Sequence, residues 1–314
     1  VSGMNEHGLT VTINAAKTDM PSGSATPVSL VAREILQYAR NIEQALQIAE
    51  KRRMFVSESF LVGSAEDSKA VVIEKTPDDL DVYDPDKSYI VCANHFQSKG
   101  LSQTKPNLEQ VNESASAYRY KRVMQLIDTN NNTVKKTVAL LRDRYGLNNE
   151  NIGMGNEKAI NQLIAHHSIV FEPKKRLVWV SSAPWQLGQF VAYDLNKVFA
   201  LKGLKENREI SDSALTIPAD SFLLTNDYKN FVRFWSYKQQ IADKKDVTIN
   251  IDSLVSTNPD YYHTYVLAGD YLYKKKKYAF ARQYYQIALT KVIATKKEED
   301  HIKKQIETCN RKAG

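Results

Sequence analysis

With 314 residues, 42% hydrophobic and 25% charged, the chain has room for one large domain or two of moderate size, and its composition fits a soluble globular protein. Its two cysteines, Cys92 and Cys309, exclude a disulfide framework and a Cys/His metal site and leave at most one disulfide; no apolar run is long enough to span a membrane. The net charge of +7 belongs to the tail, where residues 261–314 hold 12 Lys+Arg against 5 Asp+Glu and the remainder balances at 31 against 31.

The opening run Gly3-Met4-Asn5-Glu6-His7-Gly8-Leu9-Thr10-Val11-Thr12-Ile13-Asn14 reads as a turn feeding a strand. Asn5 to Gly8 is a Gly-closed turn, and Leu9, Val11 and Ile13 alternate with Thr10, Thr12 and Asn14 at period two. Pro21-Ser22-Gly23-Ser24 reads as a loop. Over residues 29–49, Leu30, Val31, Ile35, Leu36, Ala39, Ile42, Ala45, Leu46 and Ala49 recur at helical spacing, with a break and restart near Asn41 and Gln44. Strand-like runs follow at 59–63, 70–75 and 88–93. The pattern predicts helices over 115–129 and 133–144 and a loop over 148–157. Residues 167–171 and 177–181 read as a hairpin joined by Glu172-Pro173-Lys174-Lys175, with a further strand over 190–193. Strands and helices come in blocks without βαβ alternation, which predicts an α+β layered fold with antiparallel strands. No Gly-rich phosphate loop follows a strand, so nucleotide chemistry has no support.

A second region begins near Thr216. Residues 227–244 form a helical pattern with Phe231, Phe234, Trp235 and Ile241 on its apolar face. After Pro259, Tyr265, Gly269, Leu272, Tyr278, Ala281, Tyr285 and Ala288 stand at the spacings where a tetratricopeptide repeat places its packing residues. Lys274 to Lys277 then fall in the turn between two helices, and such a run reads as a solvated turn, not a nucleic-acid patch. One such unit cannot bury its own faces, so the hairpin is expected to pack on the preceding helix and the body of the chain.

Several motifs resemble the choloylglycine hydrolase and penicillin acyltransferase group of N-terminal-nucleophile amidases. The opening run is similar to that group's "GMNEKGL…N" pattern. Tyr89 to Phe96, containing Cys92-Ala93-Asn94-His95-Phe96, resembles a strand ending in the "TNHF" or "TNNP" motif. Ser116-Ala117-Tyr118-Arg119-Tyr120-Lys121-Arg122 resembles the "SRFVR" helix start, and Val178 to Pro184 followed by Phe190 to Tyr193 resembles the late hairpin of the penicillin branch. The likeness runs, with gaps, over about residues 2–195. It implies an αββα sandwich over residues 1–215, with residues 216–314 as a small helical domain. It also implies acyl transfer or hydrolysis at linear amide bonds through a cysteinyl acyl-enzyme, with no metal or organic cofactor.

Attack on an amide carbonyl builds negative charge on oxygen, and a fixed side-chain N–H near that oxygen stabilises the transition state. The resemblance points to Asn94 as the main donor, with Asn14 second. Arg119 matches the arginine held beside the nucleophile, where a cation favours thiolate; Arg122, one helical turn on, competes for that role. His95 reads as a structural histidine. His166 and His167, adjacent on a strand, would face opposite ways and share no metal. Cys92, two residues before Asn94, reads as a buried strand residue and not as the nucleophile. In the group the nucleophile is the first residue of the processed chain, upstream of the opening pattern, and is followed by an Arg and an Asp; none has a counterpart after Val1, so either they lie in a segment outside this chain, as the open start within a strand pattern favours, or the protein has lost them and does not catalyse.

The expected partner is therefore a small-molecule amide or acyl thioester, together with the chain's own cleaved N-terminal segment; homo-oligomers are left open. No signal peptide is visible at Val1, but relatives of this kind are often exported, and an extracytoplasmic site is favoured. The rival reading is a catalytically inactive protein of the same fold that binds partners through its helical repeat.

Overall fold

Alternation along Leu9–Ala15 decides which way the first sheet faces. In the computed structural model, which describes residues 1–17, 24–201, 203, 209–243 and 247–313, this strand (β2) lies between β1 (Ser2–Met4) and β3 (Glu58–Ser64), followed by β4 (Lys69–Lys75) and β5 (Leu80–Tyr83). The order is β1-β2-β3-β4-β5 and every pairing is antiparallel. Leu9, Val11, Phe60, Val62, Val71 and Ile73 share one face. They are buried against helices α1 (Val28–Tyr38) and α2 (Ile42–Lys51), whose Val31, Ala32, Ile35, Ala45 and Ala49 complete that core. The expected break falls where Asn41 caps α2: its side chain accepts from the Gln44 N–H, and the Gln44 side chain accepts from the Arg40 N–H. The expected loop at Pro21–Gly23 and the helix position Lys244 lie outside the described residues.

The opening motif builds this layer. Asn5 accepts from the backbone N–H groups of His7 and Leu9, closing the turn, and its amide donates to the carbonyls of Leu36 and Ala39 at the end of α1. Gly8 has φ +73, and a Cβ there would stand 2.7 Å from the Ala65 side chain and 2.8 Å from the Pro173 carbonyl oxygen. The turn needs glycine on both counts.

A second antiparallel sheet has the order β6 (Ile169–Glu172), β7 (Leu177–Ser181), β8 (Phe190–Asp194). The β6–β7 connection is a 3₁₀ turn at Pro173–Lys175 closed by Arg176 in the left-handed region. Arg176 Nε donates to the Glu6 carbonyl at 2.6 Å, so the tip of this hairpin rests on the first turn of the other sheet. One face, with Val170, Trp179, Phe190 and Ala192, packs on Val138 of helix α5 (Val134–Leu141). Between the sheets and α5 in sequence come α3 (Lys105–Glu113) and α4 (Ser116–Leu126).

Residues 88–93 are a correction. They belong to no ladder among the described residues. The Asn94 N–H goes to a side chain, the Ser116 hydroxyl. Asn94 is thus not at the end of a sheet strand. Short runs at 2–4 and 80–83 join the sheet although their sequence does not announce it; pairing with β2 and β4 supplies what local alternation lacks.

After short α6 (Leu195–Phe199) the chain turns helical: α7 (Asn226–Ala242), α8 (Ile251–Thr257), α9 (Tyr262–Lys274), α10 (Tyr278–Ala288) and α11 (Lys296–Ala313). The α9–α10 hairpin matches the expected spacing, with Lys275 to Lys277 in its turn. Gly269 lets the helices approach; a Cβ there would stand 2.6 Å from the Tyr285 ring. The largest core gathers Phe231, Phe234, Tyr262 and Tyr285 with Leu163 and Leu187, so it continues from the helices into the chain before residue 216.

Candidate active site

The face of the first sheet turned away from α1 and α2 carries a polar row. Register places Asn14 opposite Ser59, Ser59 opposite Glu74, and Glu74 opposite Asp81. Glu74 is 1% exposed. Its two oxygens accept from the backbone N–H groups of Gln97 at 2.7 Å and Ser98 at 2.9 Å. Burial nonetheless raises its pKa above the ordinary carboxylate value. Asp81 takes the Gly100 N–H at 2.7 Å. These carboxylates therefore anchor the segment running from Ala93 to Gly100 across the sheet. Asn107 of α3 holds the same segment from its other side, accepting from the Phe96 N–H and donating to the Phe96 carbonyl.

So anchored, the segment presents Asn94. Its Oδ1 accepts from Arg119 Nη2 at 2.8 Å, and its Nδ2 donates to the Ala15 carbonyl at 3.0 Å. Arg119 Nη1 donates to the Glu157 carbonyl at 2.7 Å. Burial pulls the Arg119 pKa below the ordinary guanidinium value, with the Glu157 carboxylate opposing it. Asn94 and Arg119 are thus in direct contact. Asn14 precedes the residue whose carbonyl Asn94 holds, and it is half-buried on the same sheet face.

Helix α4 explains why Arg119 takes this position. Ser116 at its start is fully buried, and its hydroxyl accepts from the Asn94 N–H at 2.8 Å and lies 2.8 Å from His95 Nδ1. This joins the helix start to the Asn94 segment, and Arg119, one turn on, then faces Asn94. Arg122 is occupied elsewhere: it grips both oxygens of Asp143 at 2.9 Å and donates to Asn149 Oδ1 at 2.8 Å. Burial, then the Arg119 charge, hold His95 below the usual imidazole range, so it is neutral at pH 7. It bonds Ser116, as a structural histidine would.

Cys92 is unsuited to nucleophilic attack. Burial, reinforced by the Glu74 charge, pushes its thiol up to about 12, with the Ser59 hydroxyl pulling weakly the other way. Cys309, buried between α10 and α11, is also held above the ordinary thiol value by burial. No group of His, Cys, Asp and Glu side chains that could hold a metal ion occurs among the described residues. Among the described residues no helix is long and apolar enough to cross a membrane.

Sequence reading missed Glu74, Ser116 and Glu157. Glu74 had a visible signal, a carboxylate directly after the apolar run Val71-Val72-Ile73 in a strand-like segment. Glu157 acts through its backbone carbonyl, which leaves no mark in the sequence.

The chain is thus a mixed α+β protein in which a half-buried arginine fixes a side-chain amide. Residues 1–184 match the family model of acyl-coenzyme A:6-aminopenicillanic acid acyl-transferase, and the chain belongs to that family. Membership places it among acyl-transfer enzymes acting on small molecules. No curated protein matches the chain.

Proposed function

We propose that the protein transfers or hydrolyses an acyl group at a linear, non-peptide amide bond, through a cysteinyl acyl-enzyme on an αββα N-terminal-nucleophile core. The observation that carries this reading is the Arg119–Asn94 bond. Arg119 is donor-only, so it fixes the Asn94 amide with oxygen inward and nitrogen toward Ala15. One Nδ2 hydrogen goes to Ala15, and the second remains to meet a substrate oxygen. A donor fixed in advance stabilises the developing oxyanion without reorganising, an effect of roughly 2.7–4 kcal/mol at well-studied sites. Asn14, on the same face, serves as the second polar contact, and Arg119 supplies positive charge near the reacting sulfur.

In this mechanism a cysteine thiolate adds to the acyl carbon. The oxyanion collapses, the C–N bond breaks, and the amine leaves with the proton taken from the nucleophile. Water or a second amine then resolves the thioester. Because the thiols of Cys92 and Cys309 are both held above the ordinary thiol range, the nucleophile is assigned outside residues 1–314. The substrates in the family's name make an acyl-coenzyme A donor and 6-aminopenicillanic acid the first probes. Residues 216–314 are read as an appended helical domain with a tetratricopeptide-like hairpin.

The test is intact mass of the full-length protein after brief incubation with an acyl-coenzyme A. A single acyl adduct, lost on hydroxylamine treatment and mapped outside residues 1–314, is the expected result. Persistent absence of an adduct and of turnover with either probe would defeat the enzyme reading and leave a binding protein of this fold.

A further inference from the structure

The loop that holds Arg119 is itself held by the C-terminal helices. Asn258, at the end of α8 and 2% exposed, grips Met154 at both ends. Its Oδ1 accepts from the Met154 N–H at 3.0 Å and its Nδ2 donates to the Met154 carbonyl at 2.7 Å. Asn156, fully buried, donates to the carbonyls of Ile152 at 3.0 Å and of Val292, beyond α10, at 2.8 Å. The loop fits the helices too closely for a side chain at Gly153: φ is +80, and a Cβ would stand 2.4 Å from the backbone of Tyr261. Gly155 has φ +87 and lies against the Phe231 ring. Immediately after these contacts comes Glu157, whose carbonyl takes one arm of the Arg119 guanidinium while Asn94 takes the other.

We infer that Asn258 and Asn156 are positioning residues of the acyl-transfer site, acting through the Met154–Glu157 backbone to set where Arg119, and through it the Asn94 amide, points. The inference rests on the proposed roles of Asn94 and Arg119. Its physical basis is the shape of the guanidinium, a planar fork whose two arms are anchored on separate segments. If the Glu157 carbonyl moves, Arg119 keeps only the Asn94 contact and the fork can rotate, so the amide loses its fixed orientation. A displacement of about 1 Å in a catalytic group can lower rate on the order of 100-fold. The helices after residue 216 then contribute to the chemistry without touching substrate.

The test compares Asn258→Ala with Leu254→Ala in the full-length protein. Leu254 is buried in the same helix and its backbone bonds only Asn250 and Thr257, not the loop, so it reports on general loss of stability. Two readouts are taken: the side-chain ¹⁵N resonances of Arg119 and the steady-state constants. Asn258→Ala should shift and broaden the Arg119 signals and lower kcat by roughly 10- to 100-fold with KM little changed. Leu254→Ala should leave both in place at the same thermal midpoint, and Asn258→Gln should restore part of the loss. Unmoved Arg119 resonances in Asn258→Ala overturn the positioning role, whatever the activity. If instead the resonances move while Arg119→Lys retains wild-type turnover, the positioning stands and the catalytic reading of Arg119 falls.

Discussion

Arg119 donates to Asn94 Oδ1 at 2.8 Å, and because a guanidinium cannot accept, that contact admits one orientation of the amide. The nitrogen must then face the Ala15 carbonyl, 3.0 Å away, with its second hydrogen uncommitted. Asn94→Asp preserves shape and the Arg119 contact but removes the donor. Its kcat should fall by about 10²- to 10³-fold with KM nearly unchanged, measured by initial rates across substrate concentration. A wild-type kcat would remove Asn94 from the mechanism.

Arg119→Lys keeps the charge and loses the fork. A lysine reaches Asn94 or the Glu157 carbonyl but cannot grip both in one plane, so retention of charge should not rescue function. The expected outcome is a drop in kcat on the order of tenfold or more, with the fold intact by circular dichroism. Arg122→Lys supplies the contrast. It keeps the charge beside Asp143 but gives up the bidentate grip and the Asn149 contact, so stability should fall by about 1.5–3 kcal/mol, read from chemical denaturation.

Cys92 should be a silent thiol. With its pKa pushed to about 12, only a minute thiolate fraction exists at pH 8, and iodoacetamide should leave it unmodified in the native protein. Cys92→Ala should retain turnover. Rapid native-state labelling of Cys92, followed by peptide mapping, would contradict its assigned burial.

His263 predicts an acid-sensitive helical region. Burial, with the charges of Lys238 and His301, lowers its pKa to about 4 against an ordinary value near 6.5. Below pH 6.5 the unfolded chain binds a proton that the folded chain refuses, so stability falls as pH drops from 6.5 towards 4 and then levels. The span is worth up to about 3 kcal/mol. Denaturation midpoints from pH 4 to 7 should follow this slope, and His263→Gln should flatten it. A parallel slope in the variant would assign the acid sensitivity to other groups.

Gly269→Ala sets two effects against each other. Alanine improves helix propensity by about 1 kcal/mol, while its Cβ would meet the Tyr285 ring at 2.6 Å. That ring is 1% exposed and its hydroxyl donates to Asp270 Oδ1 at 2.6 Å, so it has nowhere to yield. Overpacking, about 1–3 kcal/mol, should win, lowering the thermal midpoint by a few degrees in calorimetry.

Local pattern was enough for much of the architecture. Period-two alternation marked β2 and strand-like runs marked β3 and β4; one face of that sheet is buried, and a one-residue slip would turn Leu9, Val11, Phe60 and Val62 to the wrong side. Helical spacing marked α1 and α2, and Asn41 announced the cap between them. The aromatic and small residues of α9 and α10 announced their hairpin, since close helix packing leaves room for a glycine and little else at 269. Motifs singled out Asn94 and Arg119, and the fold puts the two in contact.

Tertiary structure alone decided what those residues do to one another. Nothing in the spacing of Asn94, Arg119 and Glu157 says that one guanidinium joins all three, because contacts across 25 and 38 residues depend on how α4 and the 153–157 loop are packed. That Arg119 and not Arg122 reaches Asn94 follows from Ser116 and Asp143, which fix the roll of α4. Residues 88–93 looked like a strand and have no ladder, since a strand is defined by its neighbours as much as by its own side chains. The hold of Asn258 on Met154 is a backbone contact, and backbone contacts carry no residue code; only the folded chain could place the C-terminal helices beside the Arg119 loop.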